Sequence, residues 1–216
     1  MVMEKDVAIM MADLTGYTAM TEAHGGASAA KMVGKYMELV DRALVGTSKM
    51  HQRIGDQVVI LADNAVDLLD TAQLLNQFTS DEHHFLSIHA GLHYGPVFIE
   101  GANLFGSTIN IAARIMNLAQ RGQIVCSHVF LKQLHGVALA TSIGKHKLKN
   151  VIGEFELFVL TETINKSNYI DPVCHMQINV SRSDLSVKHE KTEFHFCSTH
   201  CRDRFLADPE AFIAAL

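Results

Sequence analysis

The sequence predicts an α+β domain, helices on one face of a mostly antiparallel sheet, followed by a small cysteine-bearing domain. Three observations predict it. Apolar runs of strand length and segments of helical periodicity follow in the order strand, helix, hairpin, helix, hairpin, helix, strand. Tight turns such as Ile54-Gly55-Asp56 join several of the strands, as antiparallel neighbours require. Three of the four cysteines, Cys174, Cys197 and Cys201, fall in the last 43 of 216 residues, beyond a polar stretch without periodicity.

The first strand is the apolar run Val7 to Ala12, which stops on Asp13. Beyond the turn Leu14-Thr15-Gly16-Tyr17-Thr18, Ala27 to Val45 reads as a helix, with Val33, Tyr36, Met37, Val40 and Leu44 as its buried stripe. Lys49 to Arg53 and Gln57 to Ala62 form a hairpin, and the second arm is apolar enough to lie beside the first strand. Ala65 to Phe78 is the next helix. His84 to Ile99 reads as two strands joined around Tyr94-Gly95-Pro96, and Gly101 to Thr108 as a loop. A helix over Ile109 to Gln120 ends at Arg121-Gly122. A strand at Gln123 to Cys126, a helix at Val129 to Leu134 capped by Ser127-His128, and strands at Val137 to Ile143 and Phe155 to Leu160 complete the domain. The expected division is a larger domain over 1–161, a linker over 162–168 and a second domain over 169–216.

Length, charge and composition narrow the function classes. The chain is long enough for one full domain and a small one. A net charge of −5 offers no electrostatic footprint for nucleic acid. No apolar run is long enough to span a bilayer, and the N-terminus does not read as a signal peptide. The expectation is a cytoplasmic protein with no nucleic-acid partner and no membrane span.

Two carboxylates carry the first chemical signal. Asp13 ends one central strand, and Asp56 lies in the turn entering its expected neighbour. Carboxylates brought together repel unless a cation sits between them, and such a pair suits a divalent metal that bridges phosphate oxygens. The turn Thr15-Gly16-Tyr17-Thr18 enters a helix, whose free N–H groups suit a phosphate. Asn110 and Arg114 are four apart and share one helix face, where an amide and a guanidinium suit an anionic sugar-phosphate.

The segments ADLTGYT, RIGDQVV, GLHYGPV, FGSTINIAARI and GQIVCS, in this order and spacing, resemble a class III nucleotidyl cyclase catalytic domain over about residues 5 to 160. The resemblance implies a ferredoxin-like sandwich and a head-to-tail homodimer with active sites at the interface. It implies that Asp13 and Asp56 bind two divalent cations, Mg²⁺ or Mn²⁺, with the Leu14 carbonyl as a further ligand. It implies that Asn110 and Arg114 of the partner subunit stabilise the transition state and that Lys149, with Lys147 second, contacts the terminal phosphates. The implied reaction converts ATP or GTP to a 3′,5′-cyclic nucleotide and pyrophosphate.

The family's base-reading positions fall on Gln52 and Asn103. Adenylyl cyclases usually place Lys and Asp there, and guanylyl cyclases Glu and Cys. Each amide carries both donors and acceptors, so the pair suits adenine, or guanine with little discrimination. The departure also leaves a second expectation, a cyclase-like module that binds a nucleotide without turning it over.

The last segment carries cysteines in the pattern C-x22-C-x3-C. So short a segment buries little apolar surface, so a metal staple or docking onto the larger domain would support it. Cys197 and Cys201 are one helical turn apart, and their thiolates converge with Cys174 on Zn²⁺ or Cu⁺ if the second lies on a helix. The elements DPVC-x-M and F-C-S-x-x-C resemble a YHS domain over about 169 to 213, with His175 where Gly is usual. His83, His84, His89 and His93 read as structural or solvated, with a metal role as the alternative, and His89 and His93 lie on the same face as Gly91. Cys126 reads as a core thiol.

Overall fold

The computed structural model describes residues 3–101, 103–160, 168–179 and 185–214. The expected linker lies outside the described residues up to 167.

β1 (Met3–Leu14) is an inner strand of the sheet. Strand β2 (Lys49–Ile54) and β3 (Gln57–Ala62) form the expected hairpin, and β3 pairs antiparallel with β1. On the other side of β1 lies β4 (Ile88–Glu100), antiparallel along its length and paired from Leu14↔Ile88 to Met3↔Ile99. Beyond it come β6 (Ile124–Ser127), parallel to β4, then β8 (Phe155–Leu160) and β7 (Ala140–His146). The short β5 (Asn103–Phe105) folds back on the end of β4.

β4 corrects the expected pair of strands around Tyr94-Gly95-Pro96. It is one strand, and its turn falls later, at Gly101. Pro96 lies between the part of β4 that pairs with β6 (Ala90–Leu92) and the part that pairs with β5 (Phe98–Glu100). Its missing N–H is tolerated in that gap, and its carbonyl accepts a 2.6 Å hydrogen bond from the Thr108 hydroxyl.

Helices cover both faces of the sheet, not one face as expected. Ala8, Met10 and Ala12 of β1 face α1 (Tyr17–Ala43), α2 (Ala65–Asp81) and α4 (His128–Gln133) in the main core. Ile9 and Met11 face the other way, against Ala112 and Met116 of α3 (Ser107–Met116). The two-residue period of the strand makes this division. Gly91 lets α3 approach: a Cβ there would collide with Met116 N and lie 2.5 Å from Ala112 O.

α1 begins ten residues before the helix read from the sequence. The pair Gly25-Gly26 hid its start, because glycine is a poor helix former. Gly25, at φ 79, is a true break between two helical pieces.

The C-terminal segment holds two small hairpins, β9 (Asn168–Ile170) with β10 (Gln177–Asn179) and β11 (Ser186–His189) with β12 (Thr192–His195). Helices α5 (Thr199–Ala207) and α6 (Pro209–Ile213) follow. Val173, Cys174, Phe196, Cys201 and Phe205 are buried in the same core as α1 and α2. Gln177 N–H donates to Phe85 O at 2.8 Å, and its side-chain amide donates to Thr79 O at 3.2 Å. The segment is therefore docked on the larger domain, where it shares apolar burial that it lacks alone.

Candidate active site

Asp13 is the last residue of β1 on the α3 face, directly opposite His89 of β4. Asp56 sits in the two-residue turn between β2 and β3, made possible by Gly55 at φ 65. The fold brings the two carboxylates together. Burial first, and then the Asp13 carboxylate beside it, push Asp56 up to about 7. Backbone N–H groups of Asp56 and Leu14 oppose that shift. Two half-buried carboxylates in contact ionise together only when positive charge lies between them. The donor set, hard oxygens on rigid strand ends, fits a divalent cation such as Mg²⁺ or Mn²⁺. Leu14 follows Asp13 at the end of the strand, its N–H donating to Asp13 Oδ1 at 3.1 Å.

The predicted phosphate turn enters α1 as expected. Gly16, at φ 91, is the N-cap and supplies no side-chain cap, and the first turn of α1 carries no acidic residue. Such a helix start presents unpaired N–H groups and positive dipole to an anion. Thr15 differs from its neighbours. Its N–H donates to Ser87 O at 2.8 Å, and its hydroxyl shares a 2.9 Å hydrogen bond with His89 Nδ1. Gly16, Tyr17 and Thr18 are the residues left at the helix entrance.

Asn110 is exposed on α3, and Arg114 is half-buried one turn later. Arg114 Nε is buried with no hydrogen-bond partner among the described residues, and no ion pair joins Arg114 to Asp13 or Asp56. Lys149 is exposed in the β7–β8 loop, beside Leu148, which is buried and anchors that loop. Gln52 on β2 and Asn103 at the start of β5 are both exposed on separate hairpins, and no hydrogen bond joins them. Gln52 lies opposite Val59, so it shares the sheet face of α3 with Asp13.

Two residues to which the sequence reading gave no part in this site line the region. His89 faces Asp13 across the ladder; burial lowers its pKa, and the nearby Asp56 charge opposes the shift. Arg121, read only as a helix stop, is largely buried, which lowers its pKa, and its Nη1 donates to His175 O at 3.0 Å. The alternation that placed His89 beside Gly91 was the available signal for the first; the second had none.

The three C-terminal cysteines also come together. Cys174 Sγ and Cys197 Sγ are 3.4 Å apart, and Cys197 Sγ and Cys201 Sγ 3.6 Å. Asp171, fully buried, positions them: Oδ1 accepts from the N–H of Val173 and Cys174, and Oδ2 from the N–H of Cys197 at 2.8 Å. A fourth group joins from the larger domain. His24 Nε2 of α1 is 3.4 Å from Cys197 Sγ and 3.5 Å from Cys201 Sγ.

Comparison with known proteins identifies the two domains. Residues 1–162 match the adenylate and guanylate cyclase catalytic domain, and residues 169–215 match the YHS domain. A pH-sensitive adenylate cyclase of Mycobacterium tuberculosis is 23% identical over 159 residues, covering 71% of this chain and 40% of that protein. An adenylate cyclase of Streptomyces coelicolor is 24% identical over 61% of this chain and 35% of that protein. The chain thus spans well under half the length of these relatives. Among solved structures, the adenylyl cyclase CyaB of P. aeruginosa superposes with TM-score 0.66 at 14% identity, covering 76% of this chain and 98% of that one. The catalytic core of a rhodopsin-guanylyl cyclase with converted specificity, in complex with ATPαS, gives 0.67 at 19% identity, over 75% and 99%. The cyclase match extends over three quarters of the sequence, with a sheet and helix layering shared by the solved structures, and the chain belongs to the adenylate and guanylate cyclase catalytic domain family, with a YHS domain at its C-terminal end.

Proposed function

We propose that this chain is a nucleotidyl cyclase, converting ATP, with GTP as the alternative, to the 3′,5′-cyclic nucleotide and pyrophosphate. The juxtaposition of Asp13 and Asp56 at the mouth of the uncapped α1 carries this reading. In the reaction the ribose 3′-oxygen bonds to the α-phosphorus, the bond to the bridging oxygen breaks, pyrophosphate leaves, and the hydroxyl proton passes to solvent. Asp13, Asp56 and the Leu14 carbonyl would hold Mg²⁺ or Mn²⁺, which when bound would supply Lewis acidity toward the phosphates and the attacking hydroxyl.

The chain's own groups do the rest. The N–H groups at Gly16, Tyr17 and Thr18 orient the phosphates. Gln52 and Asn103 offer amides to the base, and Lys149 offers charge to the terminal phosphates. Asn110 holds the sugar, and Arg114 neutralises charge as it develops on the α-phosphate. ATP is preferred here because the relatives above are named adenylate cyclases.

The active unit is a homodimer. Within one chain Arg114 is not paired with the carboxylates, and a second copy would supply it. Exposed Ile54, Phe105 and Ile152 lie two or three residues from Asp56, Asn103 and Lys149, which favours apolar contact between copies around the site. The working division is a catalytic unit over 1–161 and a heavy-metal-binding unit over 169–216, with Cys174, Cys197 and Cys201 as ligands.

The test uses Asp13→Ala and Arg114→Ala in the full chain. Each alone should reduce turnover at least about 100-fold. Mixed in equal amounts they should recover up to about a quarter of native activity, because each mixed dimer contains one intact site. Full activity of either variant would contradict the assignment, and failure to recover on mixing, with mixed dimers present, would contradict the shared site.

A further inference from the structure

We infer that His24 is the fourth ligand of a closed metal site built across both domains, and that a bound Zn²⁺-class cation locks the helix start that faces the substrate phosphates. The inference deepens the reading of the three cysteines as ligands and does not depend on nucleotide turnover.

The four donor atoms, His24 Nε2 and the Sγ atoms of Cys174, Cys197 and Cys201, all lie within 4.8 Å of one another. The closest contacts are 3.4 and 3.6 Å between sulfurs and 3.4 and 3.5 Å between sulfur and nitrogen. A tetrahedral site with Zn–S near 2.3 Å and Zn–N near 2.0 Å has edges of about 3.8 and 3.5 Å. Four of the six edges are thus close to tetrahedral values, and the remaining two, which join Cys174 to Cys201 and to His24, are no longer than 4.8 Å. Thiolate and imidazole donors select borderline-soft cations over Mg²⁺. Cys174 and Cys201 are buried, and Cys197 and His24 half-buried, so the site is closed. The Asp171 carboxylate fixes the backbone at Cys174 and Cys197, the outer-shell support that metal sites use.

Position gives the site its consequence. His24 is the last residue of the first piece of α1, immediately before the break at Gly25. The other end of that piece starts at Gly16, and Gly16 lies under His175, the residue after Cys174. A metal joining His24 to Cys174 closes a ring: along the helix from Gly16 to His24, through the metal to Cys174, and from His175 back to Gly16. The active-site turn is then held from both ends by the C-terminal domain. Without metal, the thiols and imidazole make only weak contacts, and the helix piece between Gly16 and Gly25, packed on the core through Met20 and Ala23, lacks that tie to the C-terminal domain.

The experiment titrates the reduced, full-length protein with Zn²⁺ and with Co²⁺ as a spectroscopic probe, in excess Mg²⁺. Native protein should bind one ion per chain and give the visible absorption of tetrahedral Co²⁺ with thiolate ligands. Cys197→Ser should abolish binding. His24→Ala should weaken it at least about tenfold, and His24→Cys should restore affinity with an altered Co²⁺ spectrum. Amide hydrogen exchange over residues 16–24 should slow at least about tenfold with Zn²⁺ in the native chain, and not in His24→Ala. Binding unaffected by Cys197→Ser would overturn the whole ligand reading. Binding lost in Cys197→Ser but undiminished in His24→Ala would overturn the role of His24 alone. Unchanged exchange at residues 16–24 on saturation would overturn the lock.

Discussion

His175 lies directly on Gly16, so close that a Cβ added to the glycine would come within 3.0 Å of the His175 Cβ, Nδ1 and Cγ. Gly16 also adopts φ 91, where a Cβ alone costs about 1–2 kcal/mol. Gly16→Ala should therefore destabilise the chain by more than that backbone cost, and lower turnover at least about tenfold by displacing the phosphate turn. In the His175→Gly background, which removes the Cβ that makes the nearest contact and suits the positive φ of residue 175, the same substitution should cost about 1 kcal/mol less. Urea unfolding of the four proteins checks this; equal costs in both backgrounds would show that the contact does not exist.

Gly91 plays the same part beneath α3. Gly91→Ala forces α3 off the sheet, because the added carbon meets backbone atoms of Met116 and Ala112 that cannot rotate aside. A loss of about 3 kcal/mol is expected, at the upper end for overpacking. Asn110 and Arg114 ride on that helix, so turnover should fall about 100-fold. A variant with native stability and activity would show that α3 has room to spare.

His93 gives the fold a pH dependence. Its ring is buried, shares a 2.7 Å hydrogen bond with Ser127 Oγ, and is pushed down to about 4 by burial. Between that value and its ordinary 6.5, the unfolded chain binds the proton and the folded chain does not. Stability from this residue is whole above pH 6.5 and declines as the solution is acidified toward pH 4, by at most about 3 kcal/mol. His93→Gln should remove this component. Comparing urea midpoints of the two proteins at neutral pH and near pH 5 reads it directly; identical pH dependence would contradict the burial argument.

Tyr36 is fully buried in the main core, with its hydroxyl unpartnered among the described residues. Burial, and then the charges of Asp13 and Asp56, raise its pKa, so the phenol stays protonated. An unsatisfied buried hydroxyl costs stability. Tyr36→Phe should stabilise the chain by about 1 kcal/mol, seen as a raised melting temperature. A lowered one would reveal a partner for that hydroxyl.

The strands and the Asp13–Asp56 pair were legible because local rules govern them. An apolar run ending in a carboxylate, and a Gly-Asp turn between arms of opposite pattern, need no tertiary knowledge. Alternation also placed His89, Gly91 and His93 on one face. The continuous β4 was not legible, since its neighbours on the outer side change from β6 to β5 at Pro96 and a lone sequence does not reveal that gap. Nor was the start of α1, because Gly25-Gly26 breaks the periodicity that defines a helix. His24 was the least accessible of all. It sits 150 residues before Cys174 in the chain, and only the docking of the C-terminal segment on α1 brings them together.

Product analysis tests the central claim most directly. The purified full-length protein is incubated with ATP or GTP, in Mg²⁺ or Mn²⁺, and the products are separated by chromatography. The account predicts a 3′,5′-cyclic nucleotide with an equal amount of pyrophosphate, more from ATP than from GTP, and none from Asp13→Ala. A folded, dimeric protein that binds nucleotide but forms no cyclic product under all four conditions would contradict it.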